Sequence, residues 1–263
     1  MSPAKPKLRK REILAALGAG VLAAGAAALV VDGTNEPRTE SREVAQAAPD
    51  EVTYDLAAFE ELSTAGPQDV VITIGETQSV RAEGSDGVLG QLEAVVVDGR
   101  LEIRPSDGFR GNWGRLSRAT FYVTVPKLDR IALAGSGNIS IDRIEGASFT
   151  STIAGSGELT IASMDVEDAD FSIAGGGDVT AAGTARQKTV SIGGSGDIRA
   201  TTLRSESAEV RIAGSGDVAL TVQDRAQVSI FGSGDVDISG PASCSINRMG
   251  SGNVTCNGRD VEG

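Results

Sequence analysis

Histidine is absent from all 263 residues of this chain. That excludes Ser-His-Asp and Cys-His catalysis, imidazole proton shuttles and histidine-ligated zinc. The two cysteines, Cys244 and Cys256, are too few for a four-thiolate zinc site or an iron–sulfur cluster. Aromatic residues make up only 3%, so a core has to be assembled from Ala, Val, Ile and Leu. Lysine is scarce beyond residue 10, where only Lys127 and Lys188 remain. The formal charge is −12; beyond residue 31, Glu12 being the sole acid before it, the balance is more acidic still. Such a body repels nucleic acid and anionic membrane surfaces, and nucleic acid is excluded as a partner. No stretch sustains a 3.6-residue apolar period, which disfavours leucine-rich and helical repeats.

Glycine is abundant, with 34 residues, and β-branched residues surround it. This combination points to short strands joined by tight turns. At the N-terminus, Lys5, Lys7, Arg9, Lys10 and Arg11 precede an uncharged run, residues 13–31 (ILAALGAGVLAAGAAALVV). A basic lead before an apolar run is a signal peptide or a membrane anchor. Its 19 residues can cross a bilayer as an N-terminal apolar helix. Either reading exports the chain beyond residue 31, to the periplasm or cell surface, with the inner membrane as the anchor site. Residues 32–52 are polar, contain proline and read as a flexible linker. Residues 53–263 form the body.

From about residue 129 to 256 the body repeats itself. The turns are AGSGN (134–138), AGSGE (154–158), AGGGD (174–178), GGSGD (193–197), AGSGD (213–217), FGSGD (231–235) and MGSGN (249–253). Successive copies step by 18–20 residues, a solenoid period. Two residues before the first glycine stand Leu133, Ile153, Ile173, Ile192, Ile212 and Ile230, with Arg248 in the last copy. Apolar residues recur four and six places after it, from Ile139 and Ile141 to Val254 and Cys256. Spacing by two is strand alternation with one face inward. The expected fold is all-β: a single-stranded parallel β-helix, right-handed by strand chirality, with coils of 18–20 residues. Segments between 70 and 125 alternate in the same way and are expected to cap or extend it.

The Gly-Ser-Gly-Asp turn is no phosphate loop. An acid or amide comes after the second glycine, no Lys-Ser/Thr pair does, and a strand comes next. The acids Asp178, Asp197, Asp217 and Asp235, with Asn138, Glu158 and Asn253, would stack about 4.8 Å apart. They are read first as turn residues accepting backbone N–H groups, as in Asx turns. The alternative is a calcium ladder on Asp178, Asp197, Asp217 and Asp235. No catalytic residue and no cofactor is assigned.

These residues resemble the bacterial autotransporter-adhesin head GIN domain family. The repeated I-x-G-S-G-D/N-[IV] turns carry the likeness, with FEELSTAGPQDVVITIGETQSVRAEG, VVVDGRLEIRP and ATFYVTVPKLDRIALAGSGNI upstream. It spans about residues 55–256. The resemblance implies a β-helical, non-enzymatic envelope or surface domain.

One stretch, SDGFRGNWGRLSR (106–118), breaks the strand pattern and holds the only tryptophan. Trp113, Arg110 and Arg115 are candidate ligand contacts, since Trp and Arg anchor interfaces and an indole stacks on sugar rings. Cys244 and Cys256 both belong to the last coil, and export favours their oxidation. A disulfide there would stabilise by about 3 kcal/mol in the chain-entropy model. The functions in competition are an adhesin-like binding or structural module contacting an envelope protein or glycan, a β-helical carbohydrate-active enzyme, and a calcium-binding repeat protein. Evenly recurring acids, and two lysines in the body, argue against the enzyme.

Overall fold

The computed structural model describes residues 50–106, 109 and 118–261. The apolar segment 13–31 and the candidate contacts Arg110, Trp113 and Arg115 lie outside the described residues. Among the described residues no helix is long and apolar enough to cross a membrane.

The upstream part contains β1 (Asp50–Tyr54), β2 (Glu61–Gly66), β3 (Asp69–Ile74), β4 (Ser79–Gly84), a helical turn α1 (Asp86–Leu89), β5 (Leu92–Val97), β6 (Arg100–Pro105) and β7 (Thr120–Val125). The repeats supply β8 (Arg130–Gly135), β9 (Asn138–Ile141), β10 (Ile144–Gly155), β11 (Glu158–Gly175), β12 (Asp178–Gly194), β13 (Ile198–Gly214), β14 (Val218–Gly232), β15 (Val236–Ser239), β16 (Ser243–Gly250), β17 (Val254–Cys256) and β18 (Arg259–Asp260). β1 begins inside the segment 32–52 expected as linker, and its Asp50–Tyr54 pairs antiparallel with β4.

Each repeat lies in parallel register on the one before it. Ile153 pairs with Ile173, Ile173 with Ile192, and Ile192 with Ile212, so the turn glycines stack as a column. This is the β-solenoid expected from the period. The columns two before, four after and six after the glycine are buried from Leu133 to Ile230, from Ile139 to Val254 and from Ile141 to Cys256. A single coil cannot bury such a face, but stacked coils can, and each enclosed Ile or Val contributes roughly 1.5–3 kcal/mol.

The upstream part extends the stack, and not in chain order. β2 pairs in parallel with β8, and β3 with β9, so Glu61–Ile74 form the coil beneath the first repeat. β6 then pairs with the far side of β2, and β7 with the far side of β3. β4 and β5 run antiparallel on β7 and β6 and close that end. At the other end β18 folds back antiparallel on β17. The disulfide Cys244–Cys256 joins β16 to β17, with Cα atoms 6.5 Å apart.

Candidate functional site

The glycine corner is what the stack is built on. The first glycine of each turn sits at positive φ, 138° at Gly155 and 135° at Gly175, which L side chains rarely adopt. A Cβ on Gly175 would stand 2.3 Å from the carbonyl oxygen of Gly155 in the coil below. The second glycine is equally constrained: a Cβ on Gly177 would meet the Gly157 oxygen at 2.5 Å and Ile153 Cγ2 at 2.7 Å. Backbone therefore rests directly on backbone, and the residue between the glycines faces solvent, as at Ser195 and Ser215.

The acids after these glycines form one line along the corner. The expected Asx turn is not what they make. Asp178 Oδ1 accepts the Asp197 N–H at 3.0 Å, Asp197 Oδ1 that of Asp217 at 3.0 Å, Asp217 Oδ1 that of Asp235 at 2.8 Å, and Asp235 Oδ1 that of Asn253 at 2.7 Å. Each carboxylate thus caps the backbone of the following coil and not its own turn. The physical reason is the parallel stack, which places the next coil's N–H within reach of one methylene and a carboxylate. The line begins one coil earlier than the repeats suggest. Asp69, in the turn Gly66-Pro67-Gln68-Asp69, accepts the Asn138 N–H at 2.9 Å. Gln68 there replaces the second glycine, so the turn looks unrelated; the match AGPQDV to AGSGDV was the available signal.

Glu158 breaks the line. Its longer side chain turns aside to the Thr160 hydroxyl at 3.3 Å, and the Asp178 N–H donates to the Gly157 carbonyl at 3.2 Å instead. The mutual repulsion of the acids is offset by these N–H groups and by Arg199, which pairs with Asp197 at 2.7 Å and Asp178 at 3.6 Å. Asp197, Asp217, Asp235, Asp237 and Asp260 border an open groove of about 450 Å³ beside the corner. The four calcium candidates all stand on this line, one per coil. Among the described residues no three acidic or cysteine side chains converge as a metal cage.

On the other side of the corner lies a face of different character. The outward residue before each first glycine is Ala134, Ala154, Ala174, Gly193 and Ala213, then Phe231 and Met249. Phe231 is 65% exposed and Met249 62%, the two largest exposed apolar side chains among the described residues. With the neighbouring Ser172, Ser191 and Ser229 they border a shallow apolar trough of about 490 Å³.

The core also holds a lysine. Lys188, six places before Gly194, points inward and is fully buried. Its Nζ donates to the Leu203 carbonyl at 2.6 Å and the Thr221 carbonyl at 3.1 Å. Burial lowers its pKa to about 7, and a neutral amine still has two N–H donors for the two carbonyls. Nothing about this site gathers a nucleophile, an acid and a base in one hollow.

Residues 58–242 match the sequence profile of the family described as "Putative auto-transporter adhesin, head GIN domain". Crystal structures of the same shape include a "putative adhesin" from Bacteroides fragilis (19% identity, 80% of this chain and 97% of that one, TM-score 0.72). A "putative lipid binding protein" from Parabacteroides distasonis is also similar (20%, 80% and 96%, TM-score 0.64). So is a "putative adhesin" from Parabacteroides merdae (16%, 80% and 96%, TM-score 0.62). At these identities the likeness is one of fold. No curated protein is matched.

Proposed function

Taking as premise that the chain belongs to the autotransporter-adhesin head GIN domain family, we propose that it is a non-enzymatic binding or structural module of the cell envelope. One observation carries this reading. The corner acids Asp178, Asp197, Asp217 and Asp235 stand in single file, and each spends an oxygen on the next coil's backbone. A glycoside hydrolase needs two carboxylates facing each other across a substrate, and a line with one acid per coil, each bound to backbone, does not supply that pair. The disulfide of the last coil supports export, since such bonds persist in oxidising compartments. Export would proceed through the apolar segment 13–31, as a cleaved signal or as an inner-membrane anchor.

The partner is a protein or glycan of the envelope, and the contact residues are Trp113, Arg110 and Arg115. A tryptophan with an arginine on either side of it in the sequence, in a chain that is otherwise acidic, suits a neutral sugar or an acidic protein surface. The test is binding of the full chain to arrayed glycans and to envelope fractions, compared with Trp113→Ala. Loss of binding with unchanged circular dichroism supports the reading. Equal binding by both proteins refutes the assignment of the contact, and depolymerisation of a uronic polymer by the wild type refutes the module.

A further inference from the structure

Among the described residues nothing packs on the neutral sheet face beside the glycine corner. Three outward columns cross it, one, three and five residues before each first glycine, from β8 to β16. Its only charges are Arg130, Asp170, Glu209 and Arg211, which cancel, whereas the whole chain carries −12. We propose that this face is the contact between two copies of the chain, related by a two-fold axis lying in the interface along the strand direction.

Three observations select a second copy and this axis, and none depends on the envelope ligand. The axis reverses the stack while keeping the columns, so the bulky end of one copy meets the small end of the other. Met249 then lies over Ala134 of the second copy, and Phe231 over Ala154, with two alanines left exposed in the structure to receive them. An axis along the stack would instead set Phe231 on Gln227, a poorer fit. The extent is sufficient: seven strands about 4.8 Å apart and three columns about 7 Å apart cover on the order of 500–700 Å² per copy, at the lower end of specific interfaces. Charge points the same way. Two acidic molecules repel on most of their surface; this face is neutral overall, and the one like-charge contact that the axis makes, Asp170 on Glu209 of the second copy, is tempered by Arg211, which pairs with Glu209.

The middle of the stack lies on the axis, which gives a sharp test. Ser191 of one copy faces Ser191 of the other, so Ser191→Cys in the full chain should be joined into a covalent dimer by mild oxidation. Asp237→Cys, on the acidic side of the corner, should not. In sedimentation at micromolar concentration the wild-type full chain should be dimeric. Phe231→Glu combined with Met249→Glu should raise the dimer dissociation constant at least about 100-fold without changing the far-ultraviolet circular dichroism. A monomeric wild type, a dimer that survives both glutamates, or cross-linking at Asp237→Cys and not at Ser191→Cys would each overturn the proposal. Glycan binding that is unaffected by the glutamates leaves the ligand reading standing, so the two can fail separately.

Discussion

Lys188 makes the stability of this protein depend on pH above neutrality. Its pKa is lowered to about 7 by burial, while in the unfolded chain it returns to the ordinary lysine value. Between those values the unfolded state binds more protons than the native one, so stability rises with pH. The slope approaches about 1.4 kcal/mol per pH unit, and the gain from pH 7 to pH 9 is roughly 2 kcal/mol. Below pH 7 the ammonium is charged in both states and the dependence flattens. No histidine is present, and both cysteines are in the disulfide, so neither contributes to this window. Tyr54, whose pKa burial raises, titrates above it. Lys188→Met keeps the length of the side chain and removes the charge, but leaves the Leu203 and Thr221 carbonyls without its N–H groups, at about 1–3 kcal/mol each. At pH 9 the variant should therefore be the less stable protein. The difference should narrow by about 2 kcal/mol at pH 7. Urea unfolding followed by circular dichroism at several pH values between 6 and 9 measures both curves. Parallel curves for wild type and variant would refute the reasoning, because they would mean that Lys188 is solvated or already charged in the native state.

The glycine column and the acid line are tested in the same way. Gly175→Ala combines a forbidden φ with a backbone clash and should cost at least about 3 kcal/mol. Gly176→Ser, one residue on, meets nothing within 4 Å and should stay within about 0.5 kcal/mol; equal effects at the two positions would show that the corner is not tightly stacked. Glu158→Asp should complete the line by capping the Asp178 N–H, raising stability by about 0.5–1.5 kcal/mol, whereas Asp197→Ala should lose about as much. A stabilising Asp197→Ala would mean that repulsion among the acids outweighs their hydrogen bonds.

How far the sequence could be read depended on whether a residue's role was local or set by the stack. The corners were legible because Gly155, Gly175 and their equivalents meet the same constraint in every coil, and repetition exposes a shared constraint. The inward columns were legible for the same reason, as alternation over seven copies. The partner of each acid was not. Asp197 looks like a turn residue in its own pentapeptide, and only the next coil shows that its oxygen serves Asp217. The order of the upstream strands was hidden as well, since alternation marks β6 and β7 as strands but says nothing of their lying on the outer side of β2 and β3. The contact segment around Trp113 was singled out by composition alone, and nothing in the pattern of its neighbours fixes where it stands.

Lys188 occupies a core position that its residue type does not announce. Its charge argued against burial, and burial of an unpaired charge is indeed costly. What offsets that cost is a change in coil length that no single repeat displays. The step from Gly194 to Gly214 is 20 residues and the next is 18. The register between β13 and β14 accordingly slips, so that three residues of β13, Thr201 to Leu203, face no counterpart on β14. A parallel ladder cannot run through such a slip, and a buried carbonyl without a donor costs about as much as a lost hydrogen bond. Local hydroxyls fill part of the gap: the Thr221 Oγ1 donates to the Thr201 carbonyl at 2.7 Å. The Leu203 carbonyl is reached by Lys188 from one coil below, with a side chain long enough to reach Thr221 as well. The lysine is thus the donor that lets coils of 20 and 18 residues share one core, and its lowered pKa follows from that duty and not from a catalytic one.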